Sequence, residues 1–396
     1  MSPMLFIYED NPQNFEPLSH LRPVTEIRCG TLSFREKAER MMDQKASLIV
    51  RRDLNDLCAE EFPALEVAGK IPEGLHLFLS SGTVLAEPVE ISDKNEVLTG
   101  EDDTVVGFIT DKLVGSEGLA DVRDFIEATQ DQRRRIPARR IRYPWEIFAS
   151  LEQEVTRDFF GELEEGEIDS HAVVYGKALR VEKGARVEAG TVIDCRNGPV
   201  TIAEGAFTKG PNLIEGPCYI GPGTIVDSAR IRAGTVLGPV CRVGGEVEAS
   251  IFHGYVNKHH EGFMGHAYLG EWVNLGAMTT NSDLKNNYSD VKVLFNGESL
   301  STGLMKFGCI IGDHTKTAIG TLIPTGTMIG IFANLFGEGP ASKFIKSFSW
   351  GKTDVYDLEQ LVNTTEKVMV RRKRDMNTAL RERINTLHTR HTQDAV

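Results

Sequence analysis

The segment VEKGARVEAGTVI, residues 181–193, sets Val181, Val187 and Ile193 six positions apart, with Gly184 and Gly190 at the same interval. Ile225, Ile231, Leu237 and Val243 continue the period, and Ile311, Thr317, Ile323 and Ile329 resume it later. A six-residue apolar repeat is the mark of a parallel β-helix. Three hexads make one coil, so one apolar residue per hexad fills a triangular core walled by short strands. Glycine suits the corners, where the chain turns through φ values that a Cβ resists. The repeat region is assigned to 168–340 and is broken at 281–308 by NSDLKNNYSDVKVLFNGESLSTGLMKFG, which is polar, turn-rich and out of register. An excursion of that length from a solenoid points to function or to a subunit contact.

Upstream, residues 1–150 alternate two kinds of signal. MLFIY, ASLIV, LHLFL and TVVGFI read as buried strands, and LSFREKAERMM and LADVRDFIEAT as amphipathic helices. That order predicts an α/β domain with a largely parallel sheet. The basic stretch Arg133–Arg142 and Tyr143-Pro144-Trp145 lead to a helical signal near Ile147–Phe160, with the connector assigned to 151–167. In the segment 341–396, Leu358, Leu361, Val368, Met376, Leu380, Ile384 and Leu387 recur between charges and predict a helix. Such a helix covers the open end of a β-helix, whose last coil otherwise exposes unpaired strand edges. The final HTRHTQDAV is expected to be disordered.

The 396 residues are 41% hydrophobic and 26% charged, a globular balance, and the net charge of −13 disfavours nucleic acid as a partner. No apolar run is long enough to span a bilayer, and Met1–Asp10 carries no signal-peptide pattern. The six cysteines are scattered without a C-x-x-C pair, so free buried thiols in a cytoplasmic protein are expected.

Four histidines crowd one stretch, at 253, 259, 260 and 266. They fit polar positions on an irregular turn, a metal site or a catalytic site. The γ-class carbonic anhydrases are hexapeptide β-helices that hold zinc through three histidines, including an H-x4-H pair. Here His260 and His266 are six apart, so a metal trio would have to form across subunits.

HHEGFMGHAYLGEWVNLGA, residues 259–277, resembles the acetyltransferase half of the bifunctional UDP-N-acetylglucosamine pyrophosphorylase/glucosamine-1-phosphate N-acetyltransferase family. The resemblance implies a left-handed β-helix, a homotrimer, and acetyl-CoA and an aminosugar phosphate as substrates. It lays the family's general base on His260, its tyrosine on Phe263, its acetyl-CoA-facing asparagine on Asn274 and its thioester-facing alanine on Ala277. Arg230-Ile231-Arg232-Ala233-Gly234 matches the family's Arg-x-Arg-Pro-Gly and implies a phosphate contact at Arg232. Lys306-Phe307-x-x-Ile310-Ile311-Gly312-Asp313 matches its Lys-Phe-x-x-Ile-Ile-Gly-Asp and implies a sugar-phosphate contact at Lys306. The chain departs from the family at Ser250-Ile251, where the family has paired lysines, and at Phe263, which lacks a hydroxyl. The chemistry fits these residue types. Imidazole accepts an amine proton near neutral pH, rigid turns aim N–H donors at an oxyanion, and cations hold a phosphate.

Pro17-Leu18-Ser19-x-x-Arg22-Pro23 resembles the Pro-Leu-Thr-x-x-Arg-Pro element of sugar-1-phosphate nucleotidyltransferases. The glycine loop of those enzymes is replaced by EDNPQN and their following lysine by Val24, which leaves Arg22, Arg28 and Lys37 as candidate phosphate contacts. A divergent bacterial branch with an LRPVTEIRCG-type element and a DGFLGHSYLGEWVNLGA-like segment is similar over nearly the whole length. The resemblance implies a nucleoside triphosphate as a further substrate and Mg²⁺ if nucleotidyl transfer is active; Asp102-Asp103 is a weak candidate for the ion. Three functions follow as expectations. The first is a sugar-phosphate acetyltransferase and nucleotidyltransferase of UDP-N-acetylglucosamine-type metabolism. The others are a non-catalytic sugar-nucleotide-binding regulator and a metal-dependent β-helix enzyme.

Overall fold

The computed structural model describes residues 3–63, 65–67, 71–111 and 132–393. They form two compact units, one of Met1–Arg28, Leu32–Pro144 and Asn377–Arg383, the other of Cys29–Thr31, Trp145–Met376 and Ile384–Val396.

The first unit is built on a seven-stranded sheet in the order Glu66–Val67, Ala46–Ile49, Leu5–Tyr8, His76–Ser80, Val105–Thr110, Glu96–Thr99, Arg133–Arg135. The first four strands are parallel, and Val105–Thr110 is antiparallel to both of its neighbours, so the sheet is mixed. LFIY and HLFLS are buried on both faces, which is why they read as unbroken apolar runs. Alternate residues separate the two sides. Leu5, Ile7, Leu77 and Leu79 enter one aliphatic core, while Phe6, Phe78 and Phe108 stack at 4.9 Å spacings on the other face. The helix Phe34–Met42 starts at Ser33, whose side chain and that of Glu36 form a reciprocal capping box. The expected helix LADVRDFIEAT lies outside the described residues.

The second unit is a parallel β-solenoid. One wall is a ten-stranded parallel sheet from Leu163–Glu164 to Phe344–Ile345. Ile202 pairs with Ile220 and Ile220 with Leu237, circuits of 18 and 17 residues, while Val181 to Ile202 takes 21 and Leu237 to Phe252 takes 15. Val181, Val187, Ile193, Ile231, Leu237, Val243, Ile311, Thr317, Ile323 and Ile329 are buried, as their spacing predicts. Ile225 is the exception. Val226 takes the inward position instead, and the strand carries a register shift between Val226 and Ala229. Each fully buried valine, leucine or isoleucine contributes about 1.5–3 kcal/mol. All six cysteines are free and buried.

One corner carries aromatic residues in place of glycine. Tyr255, Trp272, His314, Phe332 and Phe348 have φ of 55°, 61°, 58°, 54° and 60°. Left-handed backbone at such side chains costs about 1–3 kcal/mol each. Their rings stack with centroids 4.1, 6.0, 4.7 and 5.6 Å apart, which offsets that strain. His388 packs edge-on against Phe348 at the end of the column.

The connector is a 3-10 turn at Pro144–Ser150 followed by a helix at Leu151–Arg157. The C-terminal region forms two helices, Leu358–Val370 and Thr378–Gln393. The second corrects the expectation of a disordered tail, because HTRHTQ is helical and His388 bonds the Tyr356 carbonyl at 2.8 Å. The excursion contains a β-hairpin, Lys292–Phe295 with Glu298–Ser301, joined by Asn296-Gly297 at φ 48° and 80°. Its buried residues, Val291, Val293 and Phe295, face its own unit, where Phe295 meets Trp145 edge-on at 5.5 Å.

Candidate active site

The solenoid stacks residues about one circuit apart, and this decides which candidates meet. Asn257 pairs with Asn274, and Met278 donates its amide to the Glu261 carbonyl at 2.8 Å. His260 and Ala277 therefore occupy one corner on successive coils. His260 is exposed, and its carbonyl accepts from the Lys258 ammonium at 2.9 Å. The Ala277 carbonyl accepts from the amide of Gly320, one coil further on. Beyond Ala277 opens a cavity of about 550 Å³, lined among others by Ile319, Leu322, Phe336, Lys346 and Lys352. Asn274 is exposed beside this corner, and its Oδ1 accepts from Asn257 Nδ2 at 2.6 Å.

The strand Phe263–Gly265 leads from the His260 corner to the next corner. Phe263 is half-buried and stands opposite Glu246 on the strand below. At the far end the two expected phosphate contacts come together around one carboxylate. Lys306 Nζ lies 3.2 Å from Glu248, and Arg232 Nε lies 3.8 Å from the same side chain. Arg232 also donates to Glu246 at 3.1 Å, which with the neighbouring carboxylates raises its guanidinium pKa. In the same place, His266 Nδ1 lies 2.8 Å from Asp283 Oδ2. Burial pushes the Asp283 carboxyl up, but the His266 hydrogen bond and the His266 and Lys306 charges hold it below its ordinary value. Sequence reasoning missed Asp283. The signal was available, because 283 lies 17 positions after 266, the same interval that sets Asn274 over Asn257 and Leu269 over Phe252.

The remaining histidines disperse. His253 Nδ1 meets the Tyr268 hydroxyl at 3.0 Å, and His259 lies 3.9 Å from Asp227. Among the described residues no group of three or more His, Cys, Asp or Glu side chains is placed to hold a metal ion.

In the first unit the EDNPQN loop follows the strand Leu5–Tyr8. The Glu9 carboxylate accepts from the amides of Val24 at 3.0 Å and Arg51 at 3.1 Å and pairs with the Arg51 guanidinium. Asp10 accepts from Ser80 at 2.7 Å and pairs with Arg140. Arg22 is buried and donates to the Leu18 carbonyl at 3.3 Å. Lys37 is buried on the helix Phe34–Met42, and Arg28 is half-buried in a bridge to Ser33. Asp102 and Asp103 lie in an exposed turn where Asp102 accepts from Thr104, so they form no gathered ligand set for Mg²⁺. Among the described residues no helix is long and apolar enough to cross a membrane.

Residues 5–165 match the family model for sugar nucleotidyl transferases. The bifunctional sugar-1-phosphate nucleotidylyltransferase/acetyltransferase of Sulfurisphaera tokodaii is 34% identical over 172 residues, 43% of this chain and 38% of that protein. The bifunctional protein GlmU of Azoarcus sp. is 28% identical over 187 residues, 46% of this chain and 37% of the relative. GlmU of Picosynechococcus sp. is 26% identical over 152 residues, 31% of this chain and 30% of the relative. The chain thus spans less than two fifths of the length of these relatives. Residues 5–165 are thus similar to sugar nucleotidyl transferases, and the rest of the described chain is largely a β-solenoid. The chain is similar to part of the GlmU proteins and of the archaeal bifunctional enzyme.

Proposed function

We infer that the β-solenoid transfers an acetyl group from acetyl-CoA to the amine of an aminosugar 1-phosphate, in UDP-N-acetylglucosamine-type nucleotide-sugar biosynthesis. One observation carries the reading. The His260–Ala277 corner and the Arg232–Lys306 cluster bracket the short Phe263–Gly265 strand, about 10 Å long at 3.3 Å per residue. A phosphorylated sugar lying over Phe263 presents its amine to His260 and its phosphate to the cations. The amine nitrogen attacks the thioester carbonyl and its proton passes to the His260 imidazole. The C–S bond then breaks, and the departing thiolate takes up the proton. Asn274 and the turn at Ala277 position the thioester, and the adjoining cavity takes the coenzyme's arm. Buried free thiols support a cytoplasmic location, and in a homotrimer a neighbouring solenoid would enclose the coenzyme.

The first unit, in this reading, binds a hexose 1-phosphate or nucleoside triphosphate through Arg22, Arg28 and Lys37, with uridylyl or thymidylyl transfer slower than acetyl transfer. Magnesium would serve that transfer, but the described acidic residues do not gather around an ion, and no step is assigned to it. Glu9 favours a second reading for this unit. Its carboxylate holds two loop amides and a guanidinium, contacts that an anionic ligand would otherwise use, as suits a non-catalytic sugar-nucleotide-binding regulator. Thiol release from acetyl-CoA with a panel of aminosugar phosphates tests the first proposal. Pyrophosphate release from UTP or dTTP with hexose 1-phosphates separates the two readings of the first unit. Absence of acetyl transfer to every aminosugar phosphate would sink the main reading.

A further inference from the structure

The family's paired lysines are replaced here by Ser250 and Ile251, both fully buried, so neither offers a charge to a phosphate. The same end of the Phe263–Gly265 strand carries an ionisable ring instead. His266 turns the corner at φ 46° and is half-buried. Its amide donates to the Glu248 carbonyl at 3.0 Å, and its own carbonyl accepts from Gly308 at 2.9 Å. Both ends of the excursion converge on it. Asp283 comes from the outgoing limb and Lys306 from the returning one, bridged by the Leu284–Lys306 pair and by the Phe307 amide on the Asp283 carbonyl at 2.8 Å. The excursion therefore closes a neck around His266.

We propose that His266, held by Asp283, binds the anionic group of the acceptor and so sets a preference for phosphorylated over unphosphorylated aminosugars. The proposal rests on the acetyl-transfer reading above. With Asp283 accepting at Nδ1, the charged ring carries its second N–H at Nε2. The charged groups around it are Glu248 on the adjoining strand, Asp283 and Lys306 from the excursion, and Arg232 from the coil below. Lys306 pairs with Glu248, and Arg232 with Glu246, Glu215 and Glu248, so an arriving phosphate competes with these carboxylates for both cations and adds the His266 ring as a further donor. Asp283 acts through His266 and is a positioning residue.

The test compares the full chain with H266N and D283N, using glucosamine 1-phosphate and glucosamine as acceptors. Asparagine tolerates the left-handed corner, and H266Q stands in if H266N fails to fold. A charge-assisted hydrogen bond is worth roughly tenfold or more in affinity. The KM for glucosamine 1-phosphate is expected to rise by about that factor in both variants, with kcat and the KM for glucosamine nearly unchanged. A fall in kcat at constant KM, or an equal rise in KM for both acceptors, overturns the proposal. Calorimetric titration with glucosamine 1-phosphate alone separates this from turnover. If the wild type transfers no acetyl group yet binds the phosphate about tenfold more tightly than H266N, the transfer reading fails and the clamp stands. Equal binding by both, or binding by neither at millimolar concentration, overturns the clamp.

Discussion

The ammonium of Lys258 donates to the carbonyl of His260 from inside its coil. The distance is 2.9 Å, and a second bond runs to Gly244 at 2.7 Å. Lys258 stands at an inward position, opposite Val243 on the neighbouring strand, where the repeat elsewhere puts an aliphatic side chain. Burial pushes its pKa down to about 8 against the opposing charge of Glu261. The lysine thus gives up core hydrophobicity to fix the main chain of the turn that presents His260.

A pH-dependent stability follows. The unfolded chain holds the Lys258 proton up to its ordinary value of 10.5, whereas the folded chain releases it near 8. Between those values the unfolded state binds more protons, so stability rises with pH. The stability advantage of wild type over Lys258→Met should therefore grow across pH 8 to 10.5, by about 3 kcal/mol for a shift of this size. Urea unfolding of both proteins at pH 7.5 and 10.5 reads the difference directly. A constant difference would mean that Lys258 titrates normally and is not held in a dry core.

Much of the solenoid was legible because its side-chain spacing is a direct image of its geometry. Val181, Val187 and Ile193 face the core because three flat strands per coil demand it. The Ile225 exception arose from a local register shift, which a strict six-residue count cannot see. The aromatic corner was not read at all. Tyr255, Trp272, His314, Phe332 and Phe348 look like isolated aromatics until the circuit length brings them into one column. The site shows the same limit. Arg232, Lys306 and His260 were accessible through resemblance, but the His266–Asp283 pair shows only once the coil length sets 283 over 266.

The column itself can be tested at Phe332, which is fully buried between His314 and Phe348. Phe332→Ala removes the ring while leaving the strained backbone. A loss of about 3–5 kcal/mol is expected, the usual range for a buried aromatic. Phe332→Gly removes the same ring but relaxes φ 54°, so it should be no less stable than the alanine variant. If the glycine variant is clearly the weaker of the two, the corner is not strained.

His260→Ala should reduce acetyl transfer by about 10²–10⁴-fold, the usual contribution of a general base. Because His260 is exposed, the melting temperature should hardly move. Retention of the wild-type rate would remove His260 from the reaction.

In the first unit, Arg22 is the informative position because it is buried rather than displayed. Arg22→Ala is expected to destabilise that unit by about 1–3 kcal/mol, the range for stranding a buried hydrogen-bonded partner. Any weakening of ligand binding must be read against that loss. Binding of UTP or a hexose 1-phosphate through side-chain cations alone should also fall as salt rises from 0.05 to about 0.5 M, since screening shortens to a few ångströms. Salt-independent binding, unchanged by Arg22→Ala in a protein that remains folded, would place the phosphate contacts elsewhere.

A three-sided solenoid offers coenzyme A only an open flank, whereas a neighbour laid against that flank encloses it. The cavity beyond Ala277 is edged by exposed apolar side chains, Ile319 at 79% and Leu322 at 49% exposure. Large apolar residues grouped in this way mark contact surfaces. Light scattering at micromolar concentration should therefore give about three times the 43.8 kDa chain mass. Ile319→Glu with Leu322→Lys should shift the protein toward monomer and raise the KM for acetyl-CoA together. A stable wild-type monomer would remove the shared cleft. A trimer whose acetyl-CoA KM ignores both substitutions would place the coenzyme on another flank.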